Sequence, residues 1–139
     1  MIRALFPKDI PVLLKSREEF SDGWNKEMLL SAFNSGRFIG YVEEENGEVL
    51  GYLTASLTIG EGDIESVFTF PKHRKKGIAF SLINKFLSEH SNLEKIFLEV
   101  RKSNIPAINA YKKAGFKEIS ERKKYYADGE DALIFVKEN

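Results

Sequence analysis

The chain has no cysteine among its 139 residues. That absence excludes disulfides, thiolate metal sites and a cysteine nucleophile, and it fits a cytosolic setting. Charge of one sign is not in excess either, since 21 basic residues balance 21 acidic ones. A general nucleic-acid or membrane-surface binder carries a basic surplus, so no nucleic-acid or membrane partner is expected. Long apolar runs are missing, and no stretch approaches the ~20 residues of a membrane span. The opening MIRALFPKDIPVLL has no long apolar core and no small-residue cleavage site, so no signal peptide is read. Repeats, low-complexity segments and linkers are absent too. The length suits one domain spanning residues 1–139. Together these absences predict a soluble, cytoplasmic protein.

What is present is core material. Hydrophobic residues make up 42% of the chain, and eleven Phe supply bulky filling. The pattern predicts a strand over 2–6, a helix over 7–20, and a second helix capped by Asn25 and ended by Gly36. Segments 37–45 and 48–59 flank Asn46-Gly47, a strong hairpin signal. A strand follows over 64–70, stopped by Pro71. A helix over 76–90 puts Ile78, Leu82, Ile83, Phe86 and Leu87 on one face. Segment 93–100 lacks alternation, which predicts a strand buried on both sides. A helix opens at Asn104 and ends at Gly115, and strands 116–127 and 130–137 pair across Asp128-Gly129. The order implies an α/β fold, a mixed twisted β-sheet of about seven strands flanked by about four helices. Segment 64–100 should form a crossover with parallel pairing.

Three segments carry chemistry. The first is Val67-Phe68-Thr69-Phe70-Pro71-Lys72-His73-Arg74-Lys75-Lys76-Gly77-Ile78-Ala79-Phe80, where a strand enters a basic loop and then a helix. The first turn of a helix offers unpaired N–H groups and partial positive charge, which suits phosphate. Gly77 and the small Ala79 would let backbone approach a ligand. Lysines at a helix N-terminus are unfavourable unless an anion binds there. A solvated basic turn is an equally available reading, and His73 reads as an exposed loop residue. Neither G-x-x-x-x-G-K-[ST] nor G-x-G-x-x-G occurs.

The second segment is Ile96-Phe97-Leu98-Glu99-Val100-Arg101, with one carboxylate inside an apolar strand. Burial would raise its pKa toward the range of a general base. The alternative is an ion pair with Arg101 or another basic residue. In the following helix Asn104, Ala107 and Tyr111 share a face and could line a groove beyond the strand's carboxyl end. Tyr111 alone reads equally as packing. The third segment is Tyr125-Tyr126-Ala127-Asp128-Gly129-Glu130-Asp131-Ala132. It reads as a hairpin whose adjacent tyrosines face opposite sides.

These motifs, taken in order along nearly the whole chain, resemble the GNAT acetyltransferases. Arg74-Lys75-Lys76-Gly77-Ile78-Ala79 is similar to that family's R/Q-x-x-G-x-G/A pyrophosphate loop. Leu98-Glu99-Val100-Arg101-Lys102-Ser103-Asn104, Ala107-Ile108, Tyr111 and Gly115-Phe116 resemble the bacterial ribosomal-protein-alanine N-acetyltransferases. So does the Tyr125-Tyr126 segment, which in that family walls the groove for the substrate peptide. The resemblance implies acetyl-CoA as cosubstrate and no metal, held by Val67, Phe68, Thr69, Arg74, Lys75, Lys76, Gly77, Ile78, Ala79, Phe80, Asn104, Ala107 and Tyr111. It implies Glu99 as proton acceptor and Tyr111 as proton donor. Trp24, Tyr125 and Tyr126 would contact the acceptor, a protein N-terminus such as the alanine of a small-subunit ribosomal protein. Phe68, where the family has a small residue, and Phe70 before Pro71 depart from the pattern and bear on the acceptor pocket. A backbone N–H near Phe68 is the candidate donor to the developing oxyanion. Two other readings stay open: acetylation of a small-molecule amine such as a polyamine or aminoglycoside, and a non-catalytic coenzyme A-binding module. RNA binding through residues 72–76 would rest on one short run in a neutral protein.

Overall fold

A computed structural model describes residues 1–18 and 24–139. The described residues form strands β1 (Ile2–Ala4), β2 (Phe38–Glu45), β3 (Glu48–Thr58), β4 (Glu61–Thr69), β5 (Lys95–Arg101), β6 (Lys117–Arg122) and β7 (Ala132–Glu138). The helices are α1 (Ile10–Lys15), α2 (Lys26–Asn34), α3 (Ile78–Glu89) and α4 (Ile105–Lys113). All seven strands lie in one sheet, in the order β1-β2-β3-β4-β5-β7-β6. Only β4 and β5 pair in parallel, as the crossover through α3 predicts. The β2–β3 hairpin turns at Asn46 (φ 51°) and Gly47 (φ 81°), the two left-handed residues that a tight hairpin needs.

Helices cover both faces of the sheet. On one face Leu53, Ala55, Ile64 and Leu98 pack with Leu82, Ile83 and Phe86 of α3 and with Ile108 and Tyr111 of α4. On the other, Val42, Tyr52 and Phe68 pack with Ile10 and Leu13 of α1 and Leu29 of α2. No helix of the described residues is long and apolar enough to cross a membrane.

The structure revises several sequence expectations. The helix expected over 7–20 is a 3-10 turn (Pro7–Asp9), the short α1 and a second 3-10 turn (Ser16–Glu18); residues 19 and 20 lie outside the described ones. Asp9 accepts from the Phe6 N–H at 2.9 Å and pairs with Arg3 at 2.8 Å, which fixes the entry. Ser16 donates to the Leu13 carbonyl and meets the Tyr52 hydroxyl, which ends α1. The helix expected from 76 starts at Ile78, because Gly77 is its left-handed cap (φ 77°). The strand expected over 116–127 stops at Arg122, and residues 123–131 form a wide loop. β5 is not buried on both sides. Ile96, Leu98 and Val100 are buried, while Lys95 and Glu99 are exposed. Helices pack on one face of β5, and the other stays open.

Gly51 shapes the junction between β4 and α3. It faces Thr69 in register, and a Cβ there would lie 2.7 Å from the Phe68 carbonyl oxygen and 3.1 Å from Ile78 Cγ2. Backbone cannot yield that distance without moving the strand that leads into the basic loop. Gly51→Ala should therefore cost about 1–3 kcal/mol of stability, checked by urea unfolding. An unchanged midpoint would mean that the junction relaxes freely.

Candidate active site

The site arises where two strands part. β4 and β5 pair only from Glu61↔Lys95 to Ile64↔Leu98. Beyond that point β4 continues to Thr69 and β5 to Arg101 without pairing. A register shift between β3 and β4 at Thr54/Ala55 sets Glu65 out as the extra residue, and a bulge of this kind bends its strand. The Phe70 N–H bonds the Leu50 carbonyl of β3 at 2.9 Å. By the two-residue alternation of a strand, Ser66 and Phe68 also turn their backbone groups toward β3. Val67 and Thr69 turn theirs toward the gap. Of the backbone N–H groups near Phe68, that of Val67 faces the gap, whereas that of Phe68 itself faces β3.

A groove of about 1350 Å³ runs through this gap. One end is walled by Arg74, Lys75, Gly77, Ile78, Ala79 and Phe80 of the loop and first turn of α3, and by Asn104, Ala107 and Ala110 of α4. Lys75 (φ 65°) and Gly77 (φ 77°) both take left-handed backbone. The first helical bond of α3 runs from the Ser81 N–H to the Gly77 carbonyl at 3.0 Å. The N–H groups of Ile78, Ala79 and Phe80 therefore lack helical partners. Arg74 folds back, its Nε donating to the Thr69 carbonyl at 2.9 Å and its guanidinium lying 5.5 Å from the Phe68 ring centroid. His73 is less exposed than expected: its side chain is 13% accessible and its Nε2 meets Glu48 at 3.1 Å.

The Asn104 side chain caps α4 by accepting from the Ala107 N–H at 3.3 Å. Tyr111 is buried at 6% exposure beside Phe116 and Phe135 and lines the groove. Burial, and then the neighbouring Tyr126, push its phenol well above the usual range, so it stays protonated at any physiological pH.

The opposite end lies on the open face of β5. Glu99 is there with Asp63, Glu65, Ser56, Ile134, Arg122 and Tyr125. Glu99 is 36% accessible, and its nearest cation is Arg122 at 3.9 Å; Arg101 pairs elsewhere. The deep burial expected for this carboxylate is replaced by a groove-facing position. The neighbouring Glu99 carboxylate, and then burial, raise the Tyr125 phenol above its ordinary pKa. Arg122 lies 5.6 Å from the Tyr125 ring centroid. Asp63 is raised by burial and then by the charges of Glu99 and Glu61. Glu65 is raised by burial and by Asp63, against a hydrogen bond from Ser56. Each of the two keeps solvent contact through the groove.

Trp24 stands apart from the groove walls. Its indole N–H lies 3.2 Å from Thr54 Oγ1 and 3.3 Å from Ser66 Oγ, and its ring meets Phe38 edge-on at 5.4 Å. It anchors the start of α2 on the sheet. The rest of the segment that suggested an acceptor contact, residues 20–23, lies outside the described residues.

The sequence profile of the acetyltransferase (GNAT) family matches residues 7–116. The chain belongs to the GNAT acetyltransferase family. It is 39% identical over 111 residues to an N-alpha-acetyltransferase of Sulfurisphaera tokodaii, covering 69% of this chain and 66% of that protein. It is 30% identical over 122 residues to the ribosomal-protein-alanine N-acetyltransferase of Escherichia coli, covering 81% and 79%. The crystal structure of the Escherichia coli enzyme superposes with a TM-score of 0.89 at 24% identity, over 99% of this chain and 92% of that one, which establishes the common fold. The chain spans 66% or less of the length of the N-alpha-acetyltransferases it matches first.

The sequence pattern does not single out Asp63, Glu65 and Arg122 as groove residues of this GNAT chain. A strand beginning at Ile64 leaves out the alternation Asp63-Ile64-Glu65, and a strand over 116–127 hides Arg122. Arg101 also took a different part. It donates to Asp128 and Glu130 at 2.8 Å each and lies 4.1 Å over the Tyr126 ring. It thereby ties the 123–131 loop of this GNAT domain to β5. Glu130 accepts from the Ser103 N–H at 2.8 Å, and Asp131 from the Lys124 N–H at 2.9 Å. These bonds, the Glu130 N–H donated to Asp128 at 3.0 Å, and Arg101 hold Asp128, Glu130 and Asp131 below their ordinary pKa values. Carboxylates lowered in the folded state stabilise it above their unfolded pKa and lose that effect as pH falls through the folded value. The loop should therefore keep its Ser103 and Lys124 amide shifts at pH 5 and lose them below about pH 4, as followed by NMR. Arg101→Ala should speed amide exchange across 124–130 already at pH 7. Unaltered exchange in that variant would assign the docking to the backbone alone.

Proposed function

We propose that this GNAT chain is an enzyme that transfers acetyl from acetyl-CoA to a protein N-terminal α-amine. The acceptor in this reading is the N-terminal alanine of a small-subunit ribosomal protein. The observation that carries it is one groove joining an anion-suited helix start to Glu99 through the gap between β4 and β5. The chemistry of the walls fits the cosubstrate. A diphosphate suits the free N–H groups of Ile78, Ala79 and Phe80 together with Lys75 and Lys76. An amide-bearing arm suits the backbone of Val67 and Thr69, in the manner of an added strand. Asn104 and Ala107 would flank it, and Tyr125 and Tyr126 would wall the acceptor side.

An α-amine has a pKa near ~7.7–8.0, so much of it arrives as ammonium. Glu99, directly or through water, takes that proton. The free amine then attacks the thioester carbonyl carbon, and the Val67 N–H stabilises the oxyanion as it forms. As the intermediate collapses the C–S bond breaks, the Tyr111 hydroxyl donates to the departing thiolate, and the second amine proton, lost as the amide forms, returns to the Tyr111 phenolate through water. The groove location itself and the cytoplasm as the place of action belong to the same reading.

A second acceptor class draws on one observation. Asp63, Glu65 and Glu99 face the acceptor end with Arg122 as their counter-charge among the groove residues, and that surplus suits a polyamine. The Tyr125-Tyr126 wall favours an extended peptide.

Incubation with acetyl-CoA and an Ala-initiated ribosomal peptide, followed by mass spectrometry, should place the acetyl group on the α-amine. Glu99→Gln and Tyr111→Phe should each lower turnover ~10²–10⁴-fold while coenzyme A still binds. Wild-type turnover in both variants would remove the two assigned roles. Acetylation of spermidine in place of the peptide would move the acceptor to the second class.

A further inference from the structure

Coenzyme A carries a phosphate on its ribose 3′ oxygen as well as the diphosphate. The diphosphate has its counterpart in the loop and first turn of α3. The second phosphate needs a separate cation, and one stands beside the same turn. Lys113, in the last turn of α4, holds its Nζ 4.4 Å from the centroid of the Phe80 ring. Phe80 is the third residue of α3 and a groove wall. Lys113 also follows the groove-lining Pro106 and Ala110 at seven and three residues, so it continues their face of α4.

This lysine is held but not neutralised. The ring face attracts the ammonium weakly, and the carbonyl end of α4 adds a partial negative charge. Among the described residues it has no carboxylate partner, whereas Lys72, Lys85, Lys102 and Lys123 all do. Lys112 shares the turn but has no ring contact. Lys113 is thus a cation fixed at the rim, with its charge still available to an anion.

We infer that Lys113 binds the 3′-phosphate of the coenzyme and makes the protein select coenzyme A over 3′-dephospho-coenzyme A. The inference rests on the coenzyme A reading of the groove. A lysine recognises phosphate as a point charge, so its contribution falls as salt rises.

Isothermal titration of the intact protein with each of the two ligands tests this without any turnover. Wild type should bind coenzyme A about tenfold tighter than the dephospho form, with the ratio shrinking at higher salt. Lys113→Ala and Lys113→Met should bind both ligands alike, at the wild-type affinity for the dephospho form. Lys75→Ala should weaken both ligands equally, since both carry the diphosphate. Equal wild-type affinities, or a ratio that survives both Lys113 variants, would overturn the assignment while leaving the coenzyme A reading intact. No binding of either ligand to wild type would overturn both.

Discussion

The parting of β4 from β5 after Ile64↔Leu98 governs the rest of the molecule. Two parallel strands that stayed paired would leave no gap and no free backbone edge. An unmet buried backbone group costs about 1–3 kcal/mol, so strands separate only where something keeps them apart. The extra residue at Glu65 bends β4 away. Glycine at 51 lets that bent strand, and Ile78 behind it, approach β3 closely. Arg74 then covers the Thr69 carbonyl at the end of β4. The opening is thus built into the core by a bulge, a missing Cβ and a side-chain hydrogen bond.

Once the gap exists, charge divides along it. The α3 end gathers helix N–H groups with Arg74 and Lys75, whereas the β5 end gathers Asp63, Glu65 and Glu99. A neutral chain can therefore carry an anion-attracting end and a cation-attracting end within one groove. That polarity matches a reaction between a polyphosphate donor and an ammonium acceptor. Tyr111 stands between them inside the core, kept protonated by burial.

The loop over 123–131 depends on ionic hydrogen bonds more than on packing. Residues 123–131 leave the sheet and return, and Arg101, Ser103 and Lys124 hold three carboxylates of that loop. Arg101 also stacks on Tyr126. The same loop brings Tyr125 to the groove wall that also holds Glu99. A segment that shapes the substrate side is therefore tied directly to the strand that carries the proposed base.

Local pattern alone determined much of this protein. Asn46-Gly47 fixed a hairpin because its left-handed conformers are local properties. The period of Ile78, Leu82, Ile83 and Phe86 fixed α3 and its buried face. The spacing of Gly77, Glu99, Asn104 and Tyr111 brought out the elements that meet in the groove, because Gly77 and Asn104 sit at helix starts, Glu99 on the strand leading to α4 and Tyr111 on α4 itself. What local pattern could not supply was which face of β5 would be open. Ile96, Phe97, Leu98 and Val100 put apolar side chains on both faces around Glu99, and only helix packing on one side leaves Glu99 in the groove. Partners distant in sequence were equally beyond it. Arg101 could have paired with its neighbour Glu99, yet the return of β7 brings Asp128 and Glu130 to it and leaves Arg122 beside Glu99. Such choices rest on which strands become neighbours in the sheet, and long-range packing sets that order.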